Sequence, residues 1–160
     1  MSHIRLSVRL WRLIALGWAL VWLGGLAQAD TVFTLTGSSI TTSVADTPQG
    51  SRMQVSITPA ASELDSTQRM YYALLLRNGM LLFRGPAGWQ AWSGGEVPAL
   101  FSQAQSECRN GAAFGYHVDL PPLSQLAAMG LRGASFFAAY GDSEADMIQK
   151  QKFALIYTVR

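Results

Sequence analysis

Three groups of residues in this chain have the types and spacing that chemistry uses. The first is Asp142-x-Glu144-x-Asp146, three carboxylates at alternate positions in a polar connection. Hard oxygen ligands so spaced are what Ca²⁺ takes in loop sites, so these residues could hold that ion. The companions of an EF-hand are missing, because no glycine follows at the turn position and no acid closes the loop. A simpler expectation is that Ser143 caps a one-turn helix whose acidic first residues suit the helix dipole. Met147 and Ile148 would then pack down on the fold, with Lys150 and Lys152 near the helix end.

The second group is His117-x-Asp119, whose side chains point the same way if the segment is a strand. With a serine this pair could imitate a hydrolytic triad, but no G-x-S-x-G context accompanies it. The expectation is a satisfied structural pair with no catalytic role. No second histidine lies beyond residue 3, so a His-rich metal site cannot be built from one copy. Phosphate-cradling glycine motifs are also absent from the sequence.

The third group is aromatic. Trp89 and Trp92 are expected on one side of an extended segment, where indoles could stack on sugar rings. Tyr140 is the further candidate ligand-binding residue, and Tyr71, Tyr72 and Tyr116 could extend the platform. The competing expectation is that these rings cover the end of the core.

The elements that must position these groups read as short strands. Thr31–Thr36 alternates, as do Met53, Val55 and Ile57 before Pro59. Ile40–Val44 is expected as a short edge strand within a Ser/Thr-rich stretch. Met70–Leu76 and Leu81–Phe83 flank Asn78-Gly79, a hairpin signal in which both turn positions favour positive φ. Trp89–Trp92, Leu100–Ala104 and Ala113–Leu120 follow, then a short helix over Leu123–Met129 with Leu123, Leu126 and Ala127 on one face. Ala134–Tyr140 and Phe153–Val159 close the chain as two strands. Strands at this spacing, punctuated by Gly, Pro and Asn, predict an all-β fold. The expected form is an antiparallel β-sandwich of about seven or eight strands with one or two short helical turns, with a closed barrel as the alternative.

The first 29 residues stand apart. Arg5, Arg9 and Arg12 precede the apolar run Leu13–Leu26, and Ala27-Gln28-Ala29 follows. This is the pattern of a signal peptide (residues 1–29) ahead of a single domain (residues 30–160). The run is shorter than the roughly 20 residues of a membrane span, so no stable anchor is expected after cleavage. Of the chain's 12 Lys+Arg three leave with the leader, so nine face 10 Asp+Glu. A net charge near −1 gives no electrostatic reason to expect nucleic acid as a partner. Cys108 is alone, which excludes an internal disulfide and leaves a free thiol or an intermolecular bridge.

Several runs together carry a resemblance: Asn78-Gly79 with Leu82-Phe83, Gly88-Trp89-Gln90-Ala91-Trp92 with Gly94-Gly95 and Pro98-Ala99, and Tyr140–Met147 leading into Lys152–Tyr157. Over Tyr71–Val159 the chain resembles an uncharacterised β-sandwich module of bacterial extracellular proteins, often appended at the C-terminal end of longer chains. The resemblance implies a secreted β-sandwich and transfers no catalytic residue. Here the module is expected to stand alone behind the leader, a departure from the usual appended arrangement.

These readings converge on an exported, non-catalytic binding or structural module of the bacterial envelope, periplasmic or secreted, that touches an envelope or extracellular protein. The alternative is a carbohydrate-binding module that meets polysaccharide through Trp89 and Trp92, and a small hydrolase is third. No cofactor is expected beyond the Ca²⁺ that the acidic turn could take. Intact-mass measurement of the exported protein should place its first residue at Asp30; a chain that retains Met1–Ala29 would remove the export reading.

Overall fold

A computed structural model describes residues 31–34, 37–64, 66–104 and 114–160. The signal segment and Cys108 lie outside the described residues. Among the described residues, ten strands form two antiparallel sheets. Sheet I has the order β1 (Thr31–Thr34), β2 (Ser39–Thr47), β3 (Gly50–Thr58), β8 (Phe114–Leu120). Sheet II has the order β10 (Phe153–Thr158), β9 (Ser135–Gly141), β4 (Thr67–Leu75), β5 (Leu81–Gly85), β6 (Gly88–Ala91). The short β7 (Phe101–Ala104) joins sheet II at the end of β4 that β5 leaves open, pairing Thr67–Met70 while β5 pairs Ala73–Leu75. The antiparallel sandwich expected from the strand spacing is the fold, and three of its ten strands are only four residues long.

Alternation decides which side chains meet between the sheets. Ile40, Met53, Val55, Ile57, Tyr116 and Val118 come from sheet I, and Met70, Tyr72, Leu74, Phe136, Ala138 and Ile156 from sheet II. All are buried. Burial at roughly 25 cal/mol per Å² of apolar surface makes this the main stabilising term. Two tyrosine hydroxyls fix the sheets to each other. Tyr116 donates to the Tyr71 carbonyl across the sandwich at 2.9 Å, and Tyr72 points its hydroxyl at the Met53 sulfur at 2.9 Å.

Sheet II is covered on its outer face as well. Tyr71, Ala73, Phe83, Ala139 and Phe153 form a second cluster with Val97 and Met147. Its covers are the segment running from Trp92 to Ala99 and the helix α2 (Glu144–Gln149). Burial on both faces explains why Met70–Leu76 reads as a continuous apolar run instead of an alternating one. β4 is the strand on which both clusters are built.

Local readings are refined in three places. β2 is an interior strand of nine residues, paired with β1 and β3, where an edge strand of five was expected. Threonine and serine suit its solvent-facing positions, since β-branched Thr fits a half-buried pleat. The Asn78-Gly79 hairpin forms, but Gly79 alone takes positive φ, at 84°. Gly79 N–H donates to Leu76 and Leu76 N–H to Met80, which makes a three-residue loop closed by a glycine bulge. Helix α1 (Leu123–Leu126) continues as a wider turn to Leu131, broken at Gly130, and buries Leu126 as its spacing predicts.

Gly141, at the end of β9, is where α2 comes closest to the sheet. A Cβ there would stand 2.8 Å from the Ser143 carbonyl oxygen and 3.0 Å from the Met147 nitrogen, both backbone atoms that cannot swing aside. Gly141→Ala is expected to destabilise the protein by about 1–3 kcal/mol, as overpacking does. A urea midpoint equal to that of the wild type would show that α2 does not press on β9.

Candidate functional site

The acidic connection folds as a capped helix. Ser143 is extended, at φ −149° and ψ 166°, and its Oγ accepts from the Asp146 N–H at 3.1 Å. That satisfies one of the donors a helix start leaves open. Met147 is buried in the outer cluster and Ile148 packs against it, as the helical spacing requires.

The three carboxylates of this turn diverge. Asp142 is exposed and accepts from the Ser143 hydroxyl at 2.7 Å. Glu144 turns toward the covering segment, where it accepts from the Val97 N–H. Burial, together with the nearby Glu96 charge, holds its carboxyl above the usual range against that hydrogen bond. Asp146 points inward. Its Oδ1 meets the Lys150 ammonium at 2.7 Å, and its Oδ2 accepts from Lys152 and from the Asp142 N–H. With its lone pairs so engaged, Asp146 cannot turn outward to join Asp142 and Glu144 around one ion. No group of three His, Cys, Asp or Glu side chains converges among the described residues.

Lys152, expected only near the helix end, has a role that its place in the sequence does not announce. Only 3% of it is exposed, yet it carries an ammonium group. That group bridges Glu63 and Asp146, and it sits 4.9 Å from the centre of the Tyr140 ring. Glu63 comes from a single 3-10 turn (Ala61–Glu63) in the connection between the sheets. Its other oxygen accepts from the Ala60 N–H at 2.9 Å and from the Tyr140 hydroxyl at 3.1 Å. Tyr140 is fully buried here, so it belongs to this cluster and to no surface platform. Burial, foremost, raises its hydroxyl pKa. The signal that could have revealed the cluster is a lysine immediately before an apolar strand, opposite an acidic connection that has to cross between the sheets.

The tryptophans do not share a side. Three residues of extended chain put Trp89 and Trp92 on opposite faces, because side chains alternate. Trp89 turns inward at the β6 edge, 5.5 Å from the Tyr72 ring and 6.2 Å from Phe136. Trp92 lies on the outer face, edge-on to Phe83 at 6.2 Å, with its indole N–H donating to the Gly95 carbonyl at 3.2 Å. Tyr71, Tyr72 and Tyr116 are buried as well. The expected aromatic platform is therefore dispersed through the two apolar clusters.

Polar groups do gather on the outer face of sheet I. Register sets them in rows across β2, β3 and β8: Ser43, Gln54 and His117 in one, Ala45, Arg52 and Asp119 in the next. Arg52 donates to Asp119 through Nε at 2.8 Å and through its terminal nitrogen at 3.4 Å. His117 Nε2 lies 3.7 Å from the same carboxylate. His117 and Asp119 thus point the same way, as their spacing predicts. The Arg52 hydrogen bond is the largest influence on Asp119 and holds its carboxyl below the ordinary value. All three side chains are more than half exposed. An exposed pair of this kind adds little stability.

Comparison with protein families, with curated proteins and with solved structures gave no match.

The Lys152 cluster carries a sharp expectation. Lys152→Met leaves Glu63 buried without a cation and Asp146 with only the exposed Lys150, and should lower stability by about 3–5 kcal/mol. For Asp146 burial pushes the carboxyl up, but Lys150 and Lys152 outweigh it and the net direction is down. The folded value then lies below the unfolded value of about 3.9. This stabilisation is complete above that pH and drains away as pH falls through the folded value. Urea midpoints of wild type and Lys152→Met should therefore converge on acidification below about pH 4. A gap that stays constant down to the lowest pH would show that the ion cluster is not what Lys152 supplies.

Proposed function

We propose that this protein is an exported, non-catalytic binding module of the bacterial envelope, periplasmic or secreted, and that it meets a protein partner through the outer face of sheet I. The observation that carries this reading is the layout of that face. Sheet II is covered on both sides, whereas the exposed residues of β3 and β8 on sheet I stand open to solvent in registered rows. Gln54, His117, Arg52 and Asp119 offer hydrogen-bond donors and acceptors on a stiff frame, so little ordering is required on contact.

The chemistry of the face suits recognition better than turnover. Arg52, Asp119 and His117 are splayed on an open sheet, while a catalytic constellation works in a site that holds substrate and excludes water. The loose, solvated Arg52–Asp119 pair can exchange partners when a complementary surface arrives. An aromatic sugar platform of Trp89, Trp92 and Tyr140 has no comparable support, since its members face different directions.

Site-specific photocross-linking tests the proposal in cells. A photoreactive residue at Gln54, in the middle of the face, should give a discrete adduct in the envelope fraction. The same residue at Gln90, exposed on β6, should give none. Adducts of equal yield at both positions, or none at Gln54, would overturn the assignment.

A further inference from the structure

We propose that the end of the sandwich carrying the Arg77–Met80 turn and the Met129–Gly133 turn docks on an anionic lipid surface, in a peripheral and reversible contact. This end is separate from the outer face of sheet I and does not depend on the reading of that face.

Strand register brings the two turns together. Leu75 pairs with Ser135 and Ser135 with Thr158, so the ends of β4 and β10 lie beside the start of β9. Gly133 N–H donates to the Val159 carbonyl at 2.8 Å, which sets Arg160 beside the same turn. Gly133 also lies against Arg77, since a Cβ on it would stand 3.6 Å from Arg77 Cδ. Arg77, Arg132 and Arg160 therefore gather at one end of sheet II. All three are exposed, and none is in an ion pair among the described residues.

The side-chain carboxylates lie elsewhere or are committed. Glu63, Glu96, Asp142, Glu144 and Asp146 stand at the opposite end, where β4 begins and β9 finishes. Asp46 and Asp119 are nearer, on sheet I, and both are engaged. Asp46 accepts from the Ser51 hydroxyl and the Leu123 N–H, and Asp119 accepts from Arg52. The three guanidinium groups thus project from an end that offers them no uncommitted side-chain carboxylate among the described residues.

Two apolar side chains stand among these charges. Met80 is 47% exposed and Met129 65%, and they are the large apolar residues that the described part of the fold leaves in water. Met80 follows Arg77 in the β4–β5 loop, and Met129 precedes Arg132 in the turn after α1. A polyanion such as a nucleic acid would answer the arginines alone. The interface of a bilayer answers both, because phosphate headgroups take guanidinium forks and the acyl boundary takes apolar chains. Flexible methionine suits a surface that has no fixed shape.

Vesicle sedimentation tests the contact. The exported protein should pellet with vesicles of equal parts phosphatidylglycerol and phosphatidylcholine, and not with phosphatidylcholine alone. A guanidinium near such a surface is worth about fivefold in partitioning, so Arg77→Gln with Arg132→Gln should weaken it about 25-fold. Met80→Ser with Met129→Ser should weaken it several-fold, whereas Arg84→Gln, toward the other end of β5, should leave it unchanged. The arginine and methionine pairs are exposed, so the fold is not at stake in those variants. Equal pelleting with both vesicle types, no pelleting with either, or an Arg84→Gln loss matching that of the arginine pair would overturn the proposal. An arginine-pair variant that pellets like the wild type would overturn it too. So would a methionine-pair variant that does so, and its retention on heparin would then mark a polyanion as the partner instead.

Discussion

A lysine ammonium inside an apolar fold is a liability unless several groups answer it, and the neighbourhood of Lys152 is arranged around that requirement. Removing the charge from water costs several kcal/mol, and geometry has to return that amount. Glu63 and Asp146 flank the ammonium, and the Tyr140 ring lies against it. These residues belong to the 3-10 turn between the sheets, to α2, to β9 and to the lead-in of β10. One cation thus sets the relative positions of four segments. Replacing the whole cluster with apolar residues could be neutral for stability, whereas removing one member strands the others. The cluster therefore constrains how the segments assemble more than it adds net free energy.

The position of α2 follows from that constraint, and the asymmetry of the molecule follows from α2. Held by Asp146 at the lysine and by Gly141 at the sheet, α2 lays Met147 on the outer face of sheet II. The Trp92–Ala99 segment covers the adjoining part, fixed by the Trp92 N–H to Leu81 and by Arg69 to Glu96. Among the described residues, sheet I receives no such layer over β3 and β8. A two-layer fold has thereby become a three-layer one on a single side, which leaves one open polar face and one sealed apolar face.

Much of this architecture is legible in the sequence, for local reasons. Period-two alternation marks β3, Asn78-Gly79 marks the β4–β5 turn, and Ser143 followed by acidic residues marks α2. What is not legible depends on contacts between residues far apart in the chain. The ion cluster joins Glu63 to Lys152, and nothing in either local stretch declares a partner so distant. The same holds for β2, whose Ser and Thr residues imitate a loop until β1 and β3 supply hydrogen bonds on both edges. The tryptophans are a different matter: strand geometry alone places residues three apart on opposite faces, so their separation follows from alternation once β6 is recognised as a strand.

The open face of sheet I and the covered face of sheet II lie on opposite sides of the sandwich. Between them stand two sheets about 10 Å apart, bridged by the Tyr116 hydrogen bond and a close-packed core. Such a core transmits little between its outer faces unless it has a second packing. The polar rows across β2, β3 and β8 are set by strand register, which each strand shares with its hydrogen-bonded neighbours in sheet I. The covering of sheet II by α2 and the Trp92–Ala99 segment is set by contacts on the other side of that core. The layout of one face is therefore independent of what covers the other.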